Sequence, residues 1–269
     1  MKATYRDHMG DDLSVVNAAK VSFGKRSEAD GYSFVHGYGE GLGKQIPNLF
    51  KKDQELIQFL ARGCTSGDWA HLKRGVTIGN DHSIFDHIRR MPSHWSPFAH
   101  TAITLHLKMP IFVARQIMKH TTGIEYNEVS RRYVDSEPEF YVPDVWRKKA
   151  DNVKQGSSDE KAHVSDFDDY WVDCQGGFTC SEPDSGFYNL CENYYKHLLS
   201  CKVAPEQARM ILPQSMYTEV IATGNLYAWA NLYIQRTDSH AQKETQDLAK
   251  QIGEIIQPLY PVSWEALCS

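Results

Sequence analysis

The chain has 269 residues, 41% hydrophobic and 23% charged, an ordinary globular composition with ample length for a real core. Its formal net charge of -5 argues against a broad nucleic-acid-binding surface, so an anionic ligand needs a local basic pocket. No apolar run approaches the roughly 20 residues that span a bilayer, and Met1 to Asp7 hold no apolar leader core, so a cytoplasmic protein without a membrane partner is expected.

In chain order, Asp12 is placed to cap a helix with Leu13, Val15, Val16, Ala18 and Ala19 as its apolar positions, which exits at Gly24. Residues 25–47, rich in glycine and charge, read as a loop excursion. A second helix is expected from Lys51 to Arg62. From Thr101 to Leu107 the pattern alternates, with Ile103, Leu105 and Leu107 on one face and Thr104 and His106 on the other, as in a half-buried strand. Pro110 suits the first turn of a helix that continues from Ile111 to His120. Residues 149–186 are polar and read as an insertion or long surface loop. Helices follow around Asn189–Ser200, Pro205–Ile211, Asn225–Gln235 and His240–Ile256. One α+β domain results, with a mixed or antiparallel sheet flanked by helices.

The six cysteines, Cys64, Cys174, Cys180, Cys191, Cys201 and Cys268, form no C-x-x-C pair, so free thiols and no metal site are expected. Chemistry-bearing side chains concentrate elsewhere. Gln116, Lys119 and His120 precede Gly123; three residues apart on one helix, Gln116 and Lys119 would share a face. Basic groups there are also ordinary helix-end capping. In the loop that follows, Ser130 offers a hydroxyl and Arg132 a planar fork, two groups that suit a phosphate monoester. Glu128 adds an acceptor for a ribose hydroxyl or an imide N–H. A second cluster comprises Arg209, Asn225, Asn231 and Arg236. Asn225 and Arg236 are eleven residues apart, about three helical turns, and project on nearly one face.

Five blocks in order carry a family resemblance: Ala18–Phe23, Ser96–His100, Lys119–Tyr133, Ala208–Pro213 and Arg236–Gln242. Together they resemble the flavin-dependent thymidylate synthases, whose signature is Arg-His-Arg, seven residues and Ser. Here it reads Lys119-His120-Thr121 with eight residues before Ser130. The resemblance implies that FAD lies against Ser22, His100, Lys119, His120, Thr121, Glu128, Asn225 and Asn231. It implies that dUMP is held by Gln116, Lys119, Glu128, Ser130, Arg131, Arg132, Arg209 and Arg236, with Arg236 as the catalytic cation that favours the ionised pyrimidine N3. It further implies a homotetramer with active sites shared between subunits, and reductive methylation of dUMP to dTMP with NADPH and 5,10-methylenetetrahydrofolate, without an enzyme nucleophile. Lysine at 119 keeps a charge but loses the bidentate fork, Thr121 loses a charge, Ala99 stands for the usual acid, and Tyr227 stands where arginine is frequent near the flavin phosphates. In these departures the chain looks most like members encoded by bacteriophages, which implies a host cytoplasm. Two alternatives stand beside this reading: a pyrimidine-nucleotide hydroxymethylase or dCMP-acting enzyme on the same fold, and a non-catalytic nucleotide-binding homologue.

Overall fold

The computed structural model describes residues 1–35, 43–63, 94–133, 136–151, 157–162 and 185–268. Its centre is a four-stranded antiparallel sheet in the order β1-β4-β8-β5, with β1 Lys2–Met9, β4 Ala102–Pro110, β8 Tyr217–Gly224 and β5 Ile124–Glu128. The alternation predicted for β4 is realised: Ile103, Leu105, Leu107 and Met109 are fully buried, and Thr104, His106 and Lys108 face outward between them. Val220 and Ala222 of β8 extend the same buried face. A strand with period-two patterning can bury only one side, and here that side lies against helices.

Those helices are α1 Asp12–Lys20, α2 Lys51–Arg62, α3 Ile111–Ile117, α6 Leu226–Thr237, α7 Lys243–Ile256 and α8 Pro261–Cys268. Each contributes apolar side chains to one core, among them Val15, Ile57, Val113, Trp229, Leu248, Ile252 and Trp264. Two more helices, α4 Ser185–Ser200 and α5 Pro205–Ala208, complete the eight among the described residues, and α5 runs directly into a 3-10 turn, Arg209–Ile211. The α+β class with an antiparallel sheet is therefore as expected.

Five local expectations change. The cap of α1 is Asp11, whose carboxylate accepts from the Ser14 N–H at 2.8 Å while its own N–H donates to the Ser14 hydroxyl, a reciprocal box. Asp12 is instead buried and accepts from the N–H groups of Val262 and Ser263 at 2.8 and 2.9 Å, at the start of α8. Pro110 closes β4 and caps α3 rather than sitting inside its first turn. Helix α3 stops at Ile117, so Lys119 lies beyond it and shares no helical face with Gln116. Within residues 25–47, β2 Tyr32–Val35 and β3 Lys44–Pro47 pair as an antiparallel ladder. In the polar stretch that starts near Lys149, β6 Arg147–Lys149 and β7 Ser157–Lys161 also pair; residues 163–184 lie outside the described residues, as do Cys64, Cys174 and Cys180.

Candidate active site

Strand β5 runs from Ile124, just after Gly123, to Glu128, and most of the predicted site residues collect near its two ends. The ends are roughly 13 Å apart over four strand steps. At the Gly123 end a cavity of about 530 Å³ is lined by Lys119, His120, Thr121, Asn225, Asn231 and Arg236, together with Trp95, Tyr227 and Gln235. At the Glu128 end a cavity of about 670 Å³ is lined by Glu128, Ser130, Arg131 and Arg209, together with Lys108 and Glu219. The two share no lining residue.

The first of these is built on the start of α6. Asn225 caps that helix, its side-chain oxygen accepting from the Ala228 N–H at 2.9 Å, while its own N–H donates to the Gly123 carbonyl. The Leu226 N–H donates to the Thr101 hydroxyl, which ties the helix start to the head of β4. Gly123 has φ of +80°, and a Cβ there would stand 2.7 Å from the Asn225 amide nitrogen, so only glycine lets the 119–123 loop lie this close. The capped helix start also brings its positive dipole end to the cavity.

Arg236 sits in the last turn of α6, half-buried. Its Nε donates to His120 Nε2 at 2.9 Å, and one terminal nitrogen donates to the Gln116 carbonyl at 3.0 Å. Because a guanidinium only donates, His120 Nε2 must be the acceptor, which places the ring proton on Nδ1. Burial, and then the Arg236 charge, hold the His120 pKa below its ordinary value and keep the imidazole neutral. The Tyr126 hydroxyl donates to the carbonyls of Ile117 and His120, which fixes the backbone of the turn. Among the described residues no carboxylate lines this cavity, and the charged groups that do are Lys119 and Arg236.

The larger cavity has the opposite balance. Lys108, Arg131 and Arg209 face Glu128, Glu137, Glu139 and Glu219. Each carboxylate is engaged: Glu128 accepts from the Thr218 hydroxyl at 2.8 Å, Glu137 pairs with Lys196, Glu139 with Lys108, and Glu219 with His106. Arg131 donates to the carbonyls of Ser136 and Glu137 in its own loop. Arg132 lies outside the lining, paired with Glu206 at 3.2 Å, both side chains exposed. Arg209 is exposed on the 3-10 turn after α5, and among the described residues it forms no ion pair with this chain's acids.

Four predicted residues join neither cavity, Arg132 among them. Ser22 is exposed in the 3-10 turn Val21–Phe23, and His100 is exposed just before β4. Gln116 turns its side chain to Gln242, donating to its amide oxygen at 2.7 Å. Glu128, expected against both ligands, reaches only the larger cavity. Sequence reasoning missed Trp95, which stands immediately before the Ser96–His100 block, and it missed Lys108 and Glu219, which are the outward positions of paired strands. Free thiols at Cys191, Cys201 and Cys268 line neither cavity. Among the described residues no group of three His, Cys, Asp or Glu side chains is arranged to hold a metal, and no helix is long and apolar enough to cross a membrane.

A family model described as thymidylate synthase complementing protein matches residues 6–262. The chain is 36% identical over 263 residues to a flavin-dependent thymidylate synthase of Treponema denticola, covering 96% of this chain and 75% of that one. It is 33% identical over 258 residues to the one of Kosmotoga olearia, covering 96% and 86%. Among solved structures, the UMP/dUMP methylase PolB of Streptomyces cacaoi, bound with 5-Br dUMP, superposes with a TM-score of 0.65 at 27% identity, over 98% of this chain and 93% of that one. These matches show that the chain belongs to the flavin-dependent thymidylate synthase family.

Proposed function

We propose that the protein methylates dUMP to dTMP, taking the one-carbon unit from 5,10-methylenetetrahydrofolate and reducing equivalents from NADPH through FAD. The observation that carries this reading is Arg236, a half-buried cation held by His120 and the Gln116 carbonyl at a cavity that no acid among the described residues lines. Such a cation stabilises negative charge on an acidic imide and suits uracil better than cytosine. Held against N3 and O2, it shifts the ring toward its ionised form and raises nucleophilicity at C5. No cysteine among the described residues is placed to add to the pyrimidine.

The acid-free cavity fits an anionic flavin nucleotide. Lys119 supplies charge, Asn225, Asn231 and Gln235 supply amides, Thr121 a hydroxyl, and the α6 start a dipole. When bound, the flavin supplies the electrons that convert the transferred one-carbon unit to a methyl group. The chain's own share is orientation, exclusion of water and the fixed charge at Arg236.

The larger cavity is the phosphate side, with the Ser130 hydroxyl and the Arg209 guanidinium as its donors. Because it opens at the other end of β5 from Arg236, a complete nucleotide site forms when one copy's Ser130–Arg209 side meets another copy's Arg236 side. This supports a homotetramer with shared active sites. Glu128 and Arg132 then act across that junction, Arg132 by exchanging Glu206 for phosphate.

The test is direct. Purified chain is mixed with FAD, NADPH, 5,10-methylenetetrahydrofolate and either dUMP, UMP or dCMP, and the product is weighed by mass spectrometry. Methylated dUMP is expected. A hydroxymethyl product, or turnover of dCMP in place of dUMP, overturns the assignment, and a chain that binds no flavin sinks it entirely.

A further inference from the structure

The acid-free cavity has one wall that charge and amides do not explain. Trp95 is 52% exposed, whereas the core tryptophan Trp229 is wholly buried. Trp95 lies against Tyr227 with ring centroids 5.8 Å apart and planes tilted by 35°, and both rings line the cavity. An indole left half in water beside a cavity is a surface that a flat ring covers with gain, since aromatic side chains carry large apolar faces. Tyr227 occupies the first turn of α6, where the helix presents its positive end.

Position along α6 decides which ring. Tyr227 and Arg236 are nine residues apart on one helix, which separates them by about 13.5 Å along its axis at 1.5 Å per residue. The flavin ring has to lie within roughly 3.5 Å of the pyrimidine for the two to react. Given the reading of Arg236 made above, on which this step rests, the flavin ring belongs at the Arg236 end of α6. The other flat group of a flavin dinucleotide is its adenine, joined through the pyrophosphate. We infer that Trp95 and Tyr227 form the platform for that adenine, with the pyrophosphate lying between them and Lys119. Positions 121 and 227 carry a neutral hydroxyl and a ring, so stacking here takes over part of the work of charge.

This makes Trp95 a positioning residue that discriminates FAD from FMN, which lacks the adenine. The experiment is a titration of flavin-stripped full-length protein with FAD and, separately, FMN, following flavin fluorescence and tryptophan quenching rather than turnover. Trp95→Ala is expected to raise the Kd for FAD by about 5- to 150-fold, the range of a lost base–aromatic stack. The Kd for FMN is expected to stay within about 2-fold, and Trp95→Phe to restore most of the FAD affinity. Equal losses for FAD and FMN, or no loss for FAD, overturn the platform. Protein that binds neither flavin before substitution fails the functional reading instead, so the two failures are distinguishable.

Discussion

The two cavities at the ends of β5 draw on the same stretch of sequence, yet they are electrostatic opposites. Around Arg236 the charged groups are all cations, and the neutral His120 accepts a hydrogen bond because protonation there is disfavoured. Around Arg209, four carboxylates enter from β5, the 136–139 segment and β8, and each is occupied by a lysine, histidine or hydroxyl of the same chain. The difference teaches what each cavity can do alone. The smaller one presents unspent positive potential to a ligand. The larger one has most of its charge internally satisfied, and its recognition capacity resides in Arg209, the Ser130 hydroxyl and whatever a second copy brings.

Substitutions at three arginines would break or sharpen that contrast. The largest effect is expected for Arg236→Ala, which removes the fixed cation from the acid-free cavity. Turnover of dUMP should fall by roughly 10²–10³ with a much smaller change in KM. Arg236→Lys should recover only part, because lysine cannot keep both the His120 and Gln116 contacts of a planar fork. Equal losses in kcat and in binding would reduce Arg236 to an anchor. A middle-sized effect belongs to the other cavity: Arg209→Ala should weaken dUMP binding by about 10- to 100-fold, as expected for a charge-assisted phosphate contact. Arg132→Ala should cost less, about 5-fold, because its guanidinium must first leave Glu206. Calorimetric titration with dUMP compares the two, and unchanged binding in both would move the phosphate site elsewhere.

The smallest effect is a pH dependence. Since the folded state holds the His120 pKa below 6.5, the Arg236 contact contributes fully above pH 6.5 and is lost as pH falls through the lowered value. As pH falls below 6.5 and through that lowered value, the parent should therefore lose dUMP affinity more steeply than His120→Gln, whose amide oxygen accepts at every pH. Parallel pH profiles for the two proteins would show that His120 does not control Arg236.

Much of this was readable from periodicity and local chemistry. The buried alternation of β4 and the helix from Lys51 to Arg62 depend on nearest neighbours, and they appear where the pattern puts them. Asn225 and Arg236 do line one cavity, because a continuous helix preserves its spacing. What was not legible depends on partners far along the chain. Two adjacent aspartates at 11 and 12 look equivalent as caps, and only contact with Val262 and Ser263 gives the second another role. The resemblance puts Arg132, Arg209 and Arg236 on one nucleotide at sites shared between subunits, and a sequence does not say which of them meet within one copy. Strand β5 holds the two ends of the signature apart, and Glu137, Glu139 and Glu219 come from segments with no motif of their own. Trp95 was overlooked because one aromatic residue before a loop has no periodicity to announce it.

The seam between Asp12 and α8 bears on how this protein matures. Asp12 is almost wholly buried, and burial pushes its carboxyl up to about 6 despite two backbone donors that favour the charged form. Those donors are 250 and 251 residues downstream, and Tyr260 closes the same junction by donating to the Met9 carbonyl. During synthesis the first strand and helix therefore wait, with an acid group wet and an apolar flank uncovered, until Val262 and Ser263 emerge 250 and 251 residues later. Closure of this part of the fold is thus a long-range event, and a chain lacking Val262 and Ser263 would lose the donors that hold Asp12.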